Sequence, residues 1–262
     1  MTASPVGEGR GEGGSFPDHF SGQSELYARA RPRYPDELYA FIASIAPGRG
    51  DAWDCASGNG QAAEGLARHF ANVEATDASD EQIRNAAPLE RVRFSVQPAE
   101  KTSFADHSFD AVCVAQALHW FDLERFHPEV KRVLKPRGVL AVWGYDWMRT
   151  ARGFDDLFTG GILRKLGRYW PPQNRILWNG YRDIDFPFER IEAPPFEMRL
   201  AWGFEQFRAY ANTWSATRKY LDAHGEHSLD GDWESLARQW GDAPRREFVV
   251  PLHFLCGRHG RG

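Results

Sequence analysis

Between Asp51 and Tyr145 short apolar runs alternate with helix-patterned segments, and this alternation restricts the fold more than any other feature of the chain. "DAWDCA" reads as a strand, "QAAEGLARHF" as a helix, "VEATDA" as a strand, and "SDEQIRNAA" as a helix opening on Ser79 and Asp80 as caps. "VRFSVQ" and the apolar run "FDAVCVAQA" are two further strands. "ERFHPEVKRVL" is expected to be a helix interrupted near Pro128, and "GVLAVWGY" a strand after the Lys135-Pro136-Arg137-Gly138 turn. Units of this length imply a doubly wound α/β architecture, a mostly parallel sheet with helices on both faces. A ligand then belongs at the carboxyl ends of the strands, near the point where strand order reverses.

Ahead of this core, "PDELYAFIASIAP" sets Leu38, Phe41, Ile42 and Ile45 at helical spacing, with Pro35 and Asp36 suited to the start and Pro47-Gly48 to the stop. Residues 1–15 are glycine-rich with almost nothing to bury, which predicts a disordered arm over about residues 1–19. After Tyr145 the rhythm changes. Residues 150–186 mix a helical stretch with "YWPPQN" and read as an insertion over the site. "FEMRLAW" and "REFVVPLHFLCGR" predict two long strands of a closing antiparallel hairpin. Their connection holds helix-like segments around Phe204–Tyr210, Ser215–Ala223 and Trp233–Trp240. The expected organisation is one domain over residues 20–262, with helical cap insertions at about 150–186 and 203–243.

Composition removes several function classes. A net charge of −4 draws the chain neither to nucleic acid nor to an anionic membrane. The three cysteines, Cys55, Cys113 and Cys256, are isolated, which suits a reducing compartment. No apolar run reaches the roughly 18 residues of a membrane span, and no apolar signal core opens the chain, so a cytoplasmic protein is expected. "HGEH" at His224–His227 lacks an evident third ligand, so no metal is expected. No G-x-S-x-G elbow marks a nucleophilic serine.

Gly58-Asn59-Gly60-Gln61-Ala62-Ala63 follows the first strand and matches G-x-G-x-x-A, a variant of the dinucleotide fingerprint. Asp77 ends the next strand and can accept hydrogen bonds from a ribose diol. Both features serve an NAD(P)-dependent oxidoreductase or an S-adenosylmethionine (SAM) enzyme, since each ligand contains adenosine. Asp54 separates the two. A pyrophosphate at this loop is repelled by a nearby carboxylate, whereas a sulfonium and an α-ammonium group are attracted by it.

The segments "WDCASGNGQAAEGLARHF", "VEATDASDEQI", "FDAVCVAQALHWFD" and "RVLKPRGVLAVW" follow one another in the order and spacing of class I SAM-dependent methyltransferases. From about Phe20 to Arg258 the chain resembles their small-molecule branch, the methyltransferase type 11 proteins near the trans-aconitate methyltransferases. The resemblance implies a Rossmann-like, seven-stranded sheet with SAM as cofactor and S-adenosylhomocysteine as product. It also implies roles. Asp54, Ala56, Gly58, Gly60 and Gln61 frame the methionine part of SAM; Asp77 holds the ribose and Ala78 packs on adenine. Ala99 and Glu100 border the adenine edge, and Gln116 faces the sulfonium region. The chain departs from the family at Ala56, where a loop glycine is usual, and at Pro98, where an acid is common.

The methyl acceptor is expected to be a small molecule offering oxygen, a carboxylate or a hydroxyl. No N-P-P-Y motif follows the fourth strand, which argues against adenine or glutamine N-methylation. His119 in "ALHWFD" is a candidate base or a core histidine. By the same resemblance "ELYARARPRYP" folds over the site, bringing Tyr27, Arg31 and Tyr34, with Arg29 or Arg31 able to grip a carboxylate. Trp120, Trp143, Trp147 and Trp214 are candidate pocket walls among ten tryptophans. The rivals are the oxidoreductase and a non-catalytic SAM-binding protein. A monomer or homodimer is expected, without nucleic-acid or membrane partners.

Overall fold

The computed structural model describes residues 33–260. The first helix is α1 (Asp36–Ile45). Then come β1 (Asp51–Cys55), α2 (Gln61–Leu66), β2 (Asn72–Asp77), α3 (Asp80–Arg84), β3 (Val92–Val96), β4 (Phe109–Ala115), α4 (Leu123–Val133) and β5 (Leu134–Tyr145). β1 pairs in parallel with β2 and β4, β2 with β3, and β4 with β5. With the later strands β6 (Glu189–Arg190) and β8 (Arg246–Arg258), the sheet order is β3-β2-β1-β4-β5-β8-β6, so order reverses beside β1, between its two parallel neighbours β2 and β4. These strands are buried from both sides. On β4, Ala111 and Cys113 join the core that includes α1 and α2, while Val112 and Val114 join the core that includes α4.

The other elements are α5 (Arg152–Phe158), α6 (Asn174–Trp178), β6 (Glu189–Arg190), β7 (Glu197–Trp202), α7 (Phe204–Asn212), α8 (Ser215–His224), α9 (Asp230–Trp240) and β8 (Arg246–Arg258). α5 continues through a π turn, Thr159–Leu163, and a helical turn, Arg164–Leu166. The expected closing hairpin is present: β7 and β8 are antiparallel, with α7, α8 and α9 between them.

The described residues contain eight strands rather than seven, because β8 is long enough to serve three partners. Its second half pairs with β5 from Leu252 to Arg258, its first half with β7 from Arg246 to Pro251, and its last two residues with the two-residue β6. Pro251 sits where β8 passes from one partner to the other. A proline has no N–H to give a ladder, and the hand-over between partners is where one is least missed.

Helix α4 is not interrupted at Pro128 as expected; it runs unbroken from Leu123 to Val133. The proline removes one helical hydrogen bond. Against that, Phe126, Val130 and Val133 are all fully buried. Buried Glu129 accepts from Arg132 Nη2 at 2.7 Å and from the Thr102 amide at 2.7 Å. Tertiary packing outweighs the local defect.

Helix α2 lies tightly on α1. A Cβ built on Gly65 comes to 2.1 Å from Tyr39 Cζ, and Tyr39 is itself buried. Helix propensity alone favours alanine over glycine by about 1 kcal/mol. We expect the clash to win, with Gly65→Ala destabilising the protein by about 1–3 kcal/mol in a denaturant titration.

Candidate active site

The loops after the parallel strands meet at one edge of the sheet. After β1 the chain runs through Ala56, Gly58 and Gly60, all at positive φ (57°, 55° and 94°). Gly60 opens α2, and a Cβ there meets Phe94 Cζ at 2.6 Å, so both backbone conformation and space demand glycine. Ala56 occupies the left-handed region that the usual glycine enters freely. For a residue with a Cβ that conformation is strained by about 1–2 kcal/mol.

Asp77 links this loop to the next. Its Oδ2 accepts the Gly58 N–H at 2.9 Å and its Oδ1 the Ser79 N–H at 2.9 Å. Each oxygen keeps lone-pair capacity for a further donor. Ala78 beside it is exposed. Ala99 is buried and Glu100 half-buried, with Glu100 Oε1 accepting the Asp122 N–H at 3.2 Å. Gln61, in the first turn of α2, is half-buried.

Asp54 lies behind the loop and is completely buried. Neither carboxylate oxygen has a partner at full hydrogen-bond geometry among the described residues, although the Ala63 backbone lies near enough to favour its charged form. Burial pushes this acid up to about 8, the Ala63 backbone pulls it back, and the Asp77 charge raises it further. In the protein without ligand Asp54 is therefore mostly neutral at pH 7. A buried acid without a full hydrogen bond beneath a bare loop fits a ligand that brings positive charge.

Gln116 follows β4 in the left-handed region, φ 58°. Its Nε2 donates to the Tyr145 carbonyl at 3.2 Å, joining the ends of β4 and β5. His119 is buried, its Nδ1 has no partner among the described residues, and burial lowers it to about 4. Trp120 stands out at 54% exposed. Trp143 is fully buried, edge-on to Tyr34 and Tyr39, so it underlies the edge rather than lining an open pocket. Tyr34 also packs on Tyr145. Trp214 is half-buried among Trp147, Trp170, Phe158 and Tyr210. Tyr27, Arg29 and Arg31 lie outside the described residues. His224 and His227 pair separately, with Tyr169 Oη at 2.7 Å and Asp230 Oδ2 at 2.9 Å.

Sequence reasoning passed over Gly144, Trp170, Trp178 and Tyr181. A Cβ on Gly144 meets Leu177 Cδ1, Tyr181 Oη and Gln116 Oε1 at 2.5, 2.7 and 2.8 Å. A glycine inside a strand pattern signals such a close approach, and "VWGY" carried that signal.

The comparisons with known proteins agree with this geometry. A family model described as "Methyltransferase domain" matches residues 53–142. A Dictyostelium discoideum protein provisionally named a methyltransferase is 30% identical over 251 residues, 93% of this chain and 95% of that one. The solved structure of an Anaeromyxobacter dehalogenans protein, provisionally assigned as a type II methyltransferase, is 38% identical with a TM-score of 0.84. It aligns over 88% of this chain and 99% of that one. A Saccharomyces cerevisiae protein provisionally named an S-adenosylmethionine-dependent methyltransferase is 32% identical over 132 residues, 47% of this chain and 45% of that one. The chain belongs to the class I SAM-dependent methyltransferases, and SAM is its cofactor. This membership sets aside the oxidoreductase alternative.

Two outcomes test the loop. The folded protein keeps a proton on Asp54 up to about pH 8, which the unfolded chain, with a carboxyl near ~4, releases earlier. The contribution of Asp54 to stability therefore falls as pH rises from about 4 to about 8; His119, lowered to about 4, acts in the opposite sense below its unfolded value, so the net fall is expected from about pH 6.5 to about pH 8. Asp54→Asn should flatten that fall and stabilise the protein at pH 8 by at least about 1 kcal/mol, read from melting curves across pH. Ala56→Gly should stabilise by about 0.5–1 kcal/mol, the reverse of the usual sign for Ala→Gly, because the site already holds the glycine conformation.

Proposed function

We propose that the protein moves the SAM methyl group to an oxygen of a small-molecule acceptor, a carboxylate in preference to a hydroxyl. When bound, SAM supplies an electrophilic methyl on sulfonium: an acceptor oxygen bonds to that carbon as the S–CH3 bond breaks, and its electron pair stays on sulfur. Such a displacement depends on holding nucleophile, carbon and sulfur in line, worth up to roughly 7–11 kcal/mol in favourable cases.

This chain's residues divide the work. Asp77 takes the ribose hydroxyls on lone pairs left free by the Gly58 and Ser79 amides. Ala78, Ala99 and Glu100 flank the adenine. Asp54 would hold the cationic end of the ligand, because its carboxylate, once the proton is given up to solvent, balances positive charge. Ala56, Gly58, Gly60 and Gln61 shape the methionine cradle, and Gln116 faces the transfer point from the end of β4. Tyr27, Arg31 and Tyr34 are assigned to the acceptor by family resemblance, and Trp120 and Trp214 border it. The domain spans residues 20–262, with caps over 150–186 and 203–243.

The observation that carries the preference for a carboxylate is the burial of His119, the one candidate base named from the sequence. Lowered to about 4, this histidine is a poor acceptor for a hydroxyl or ammonium proton at neutral pH. A carboxylate brings no proton to remove. His119 then packs beneath the site rather than acting as a base.

Calorimetric titration with S-adenosylhomocysteine beside NADH tests the reading. Micromolar binding of the first, none of the second, and at least a tenfold loss in Asp77→Ala with its fold retained are expected. No binding to the wild type, or tight NADH binding, overturns it. A product carrying the new methyl on nitrogen or carbon overturns the oxygen assignment alone.

A further inference from the structure

Just beyond the end of β5 four tryptophan rings converge. Trp147 sits at the centre, 5.4 Å from Trp170, 5.6 Å from Trp178 and 5.6 Å from Trp214 between ring centroids. Trp170 also meets Trp178 at 5.9 Å and Trp214 at 5.7 Å. The rings come from four separate segments: the turn after β5, the stretch before α6, the last residue of α6, and the turn between α7 and α8. Trp170 and Trp214 pack against one core and Trp178 against the other, so the cluster straddles the sheet where its two cores meet.

Two features set this cluster apart from ordinary core. All four rings are only half-buried. In the segment that carries Trp170, the indole Nε1 and the neighbouring Asn174 Oδ1 are buried with no hydrogen-bond partner among the described residues. A donor and an acceptor left unmatched beside aromatic faces suit a molecule that is flat and carries polar atoms at its rim.

The cluster is also tied to the transfer point. α6 ends on Trp178, and its Leu177 shares with Gln116 the space over the bare backbone of Gly144, where a Cβ would lie 2.5 Å from Leu177 Cδ1 and 2.8 Å from Gln116 Oε1. Asp146 fixes the backbone that carries the central ring: Oδ1 accepts the Trp147 backbone N–H at 2.6 Å and Oδ2 faces His253 Nε2 at 3.3 Å. Asp146, the carboxylate next to Trp147 in sequence, is engaged by these two groups, so the cluster presents mainly aromatic faces.

We propose that this tryptophan cluster is the acceptor-recognition surface, and that the acceptor is a planar aromatic acid whose ring stacks on Trp147 and Trp178. The inference rests on the methyl-transfer reading above and narrows its substrate class. The sequence-based candidates Trp147 and Trp214 belong to this surface, and Trp178 fixes specificity within it.

The test is equilibrium binding to protein saturated with S-adenosylhomocysteine, comparing acids of matched charge: benzoate and cinnamate against acetate and succinate. The aromatic acids are expected to bind at least tenfold more tightly. Trp178→Leu should erase that contrast, Trp178→Phe should keep most of it, and the affinity for S-adenosylhomocysteine should change less than twofold in both. Equal binding of aliphatic and aromatic acids by the wild type, or a contrast that survives Trp178→Leu, overturns the proposal. Failure of the wild type to bind S-adenosylhomocysteine would instead remove the methyl-transfer reading beneath it, so the two failures are distinct.

Discussion

Burial of the parallel strands on both faces governs the rest of this structure. Ala52, Trp53, Ala111, Val112, Leu140 and Ala141 are all fully buried, their side chains pointing alternately into the two cores. A sheet covered in this way has no free face for chemistry. Only the ends of its strands remain, and because the strands are parallel the loops after their carboxyl ends gather at the same edge. Ala56, Asp77, Ala99, Gln116 and the turn after Tyr145 reach that edge from five different strands, which is why residues distant in sequence share one site.

The polar groups at the edge carry strain and unsatisfied charge that the core alone does not require. Ala56 and Gln116 hold left-handed conformations. Asp54 is buried without a full hydrogen bond. Each is unfavourable by itself and persists because the surrounding sheet over-determines it. Asp77 supplies part of that constraint by fastening the first and second loops through one carboxylate. Asp54 also shows how environment reshapes a residue's role. By composition it is an ordinary anion; in place, burial raises its hold on a proton.

The aromatic residues divide along the same line. Trp53 and Trp143 are core, and Trp53 satisfies its indole N–H through Thr76 Oγ1 at 2.9 Å. Trp147, Trp170, Trp178 and Trp214 remain half-buried at the rim. Sequence position separates these groups only partly. A tryptophan inside a β-strand pattern points to a core, but a tryptophan in an irregular insertion has no period from which to read its neighbours. Trp147 and Trp214 were legible as candidates, whereas Trp178 was hidden because its helix is five residues long.

What the sequence determined by itself was local and periodic: the alternating strands and helices, the Ser79 cap, the glycine loop, Asp77 at a strand end, and the late hairpin with its helices. These follow from short-range preferences and from hydrophobic repeats of two or 3.6 residues, which any window of the chain displays. Tertiary structure decided the rest. It kept α4 whole across Pro128 because burial of Phe126, Val130 and Val133 outweighs one missing hydrogen bond. It assigned β8 three partners and set both Gln116 and Leu177 against Gly144. It gave Asp54 and His119 their shifted proton affinities through desolvation, and it gathered four tryptophans spread from residue 147 to residue 214 at one edge. Burial and long-range contact are properties of the assembled chain, and no local pattern encodes them.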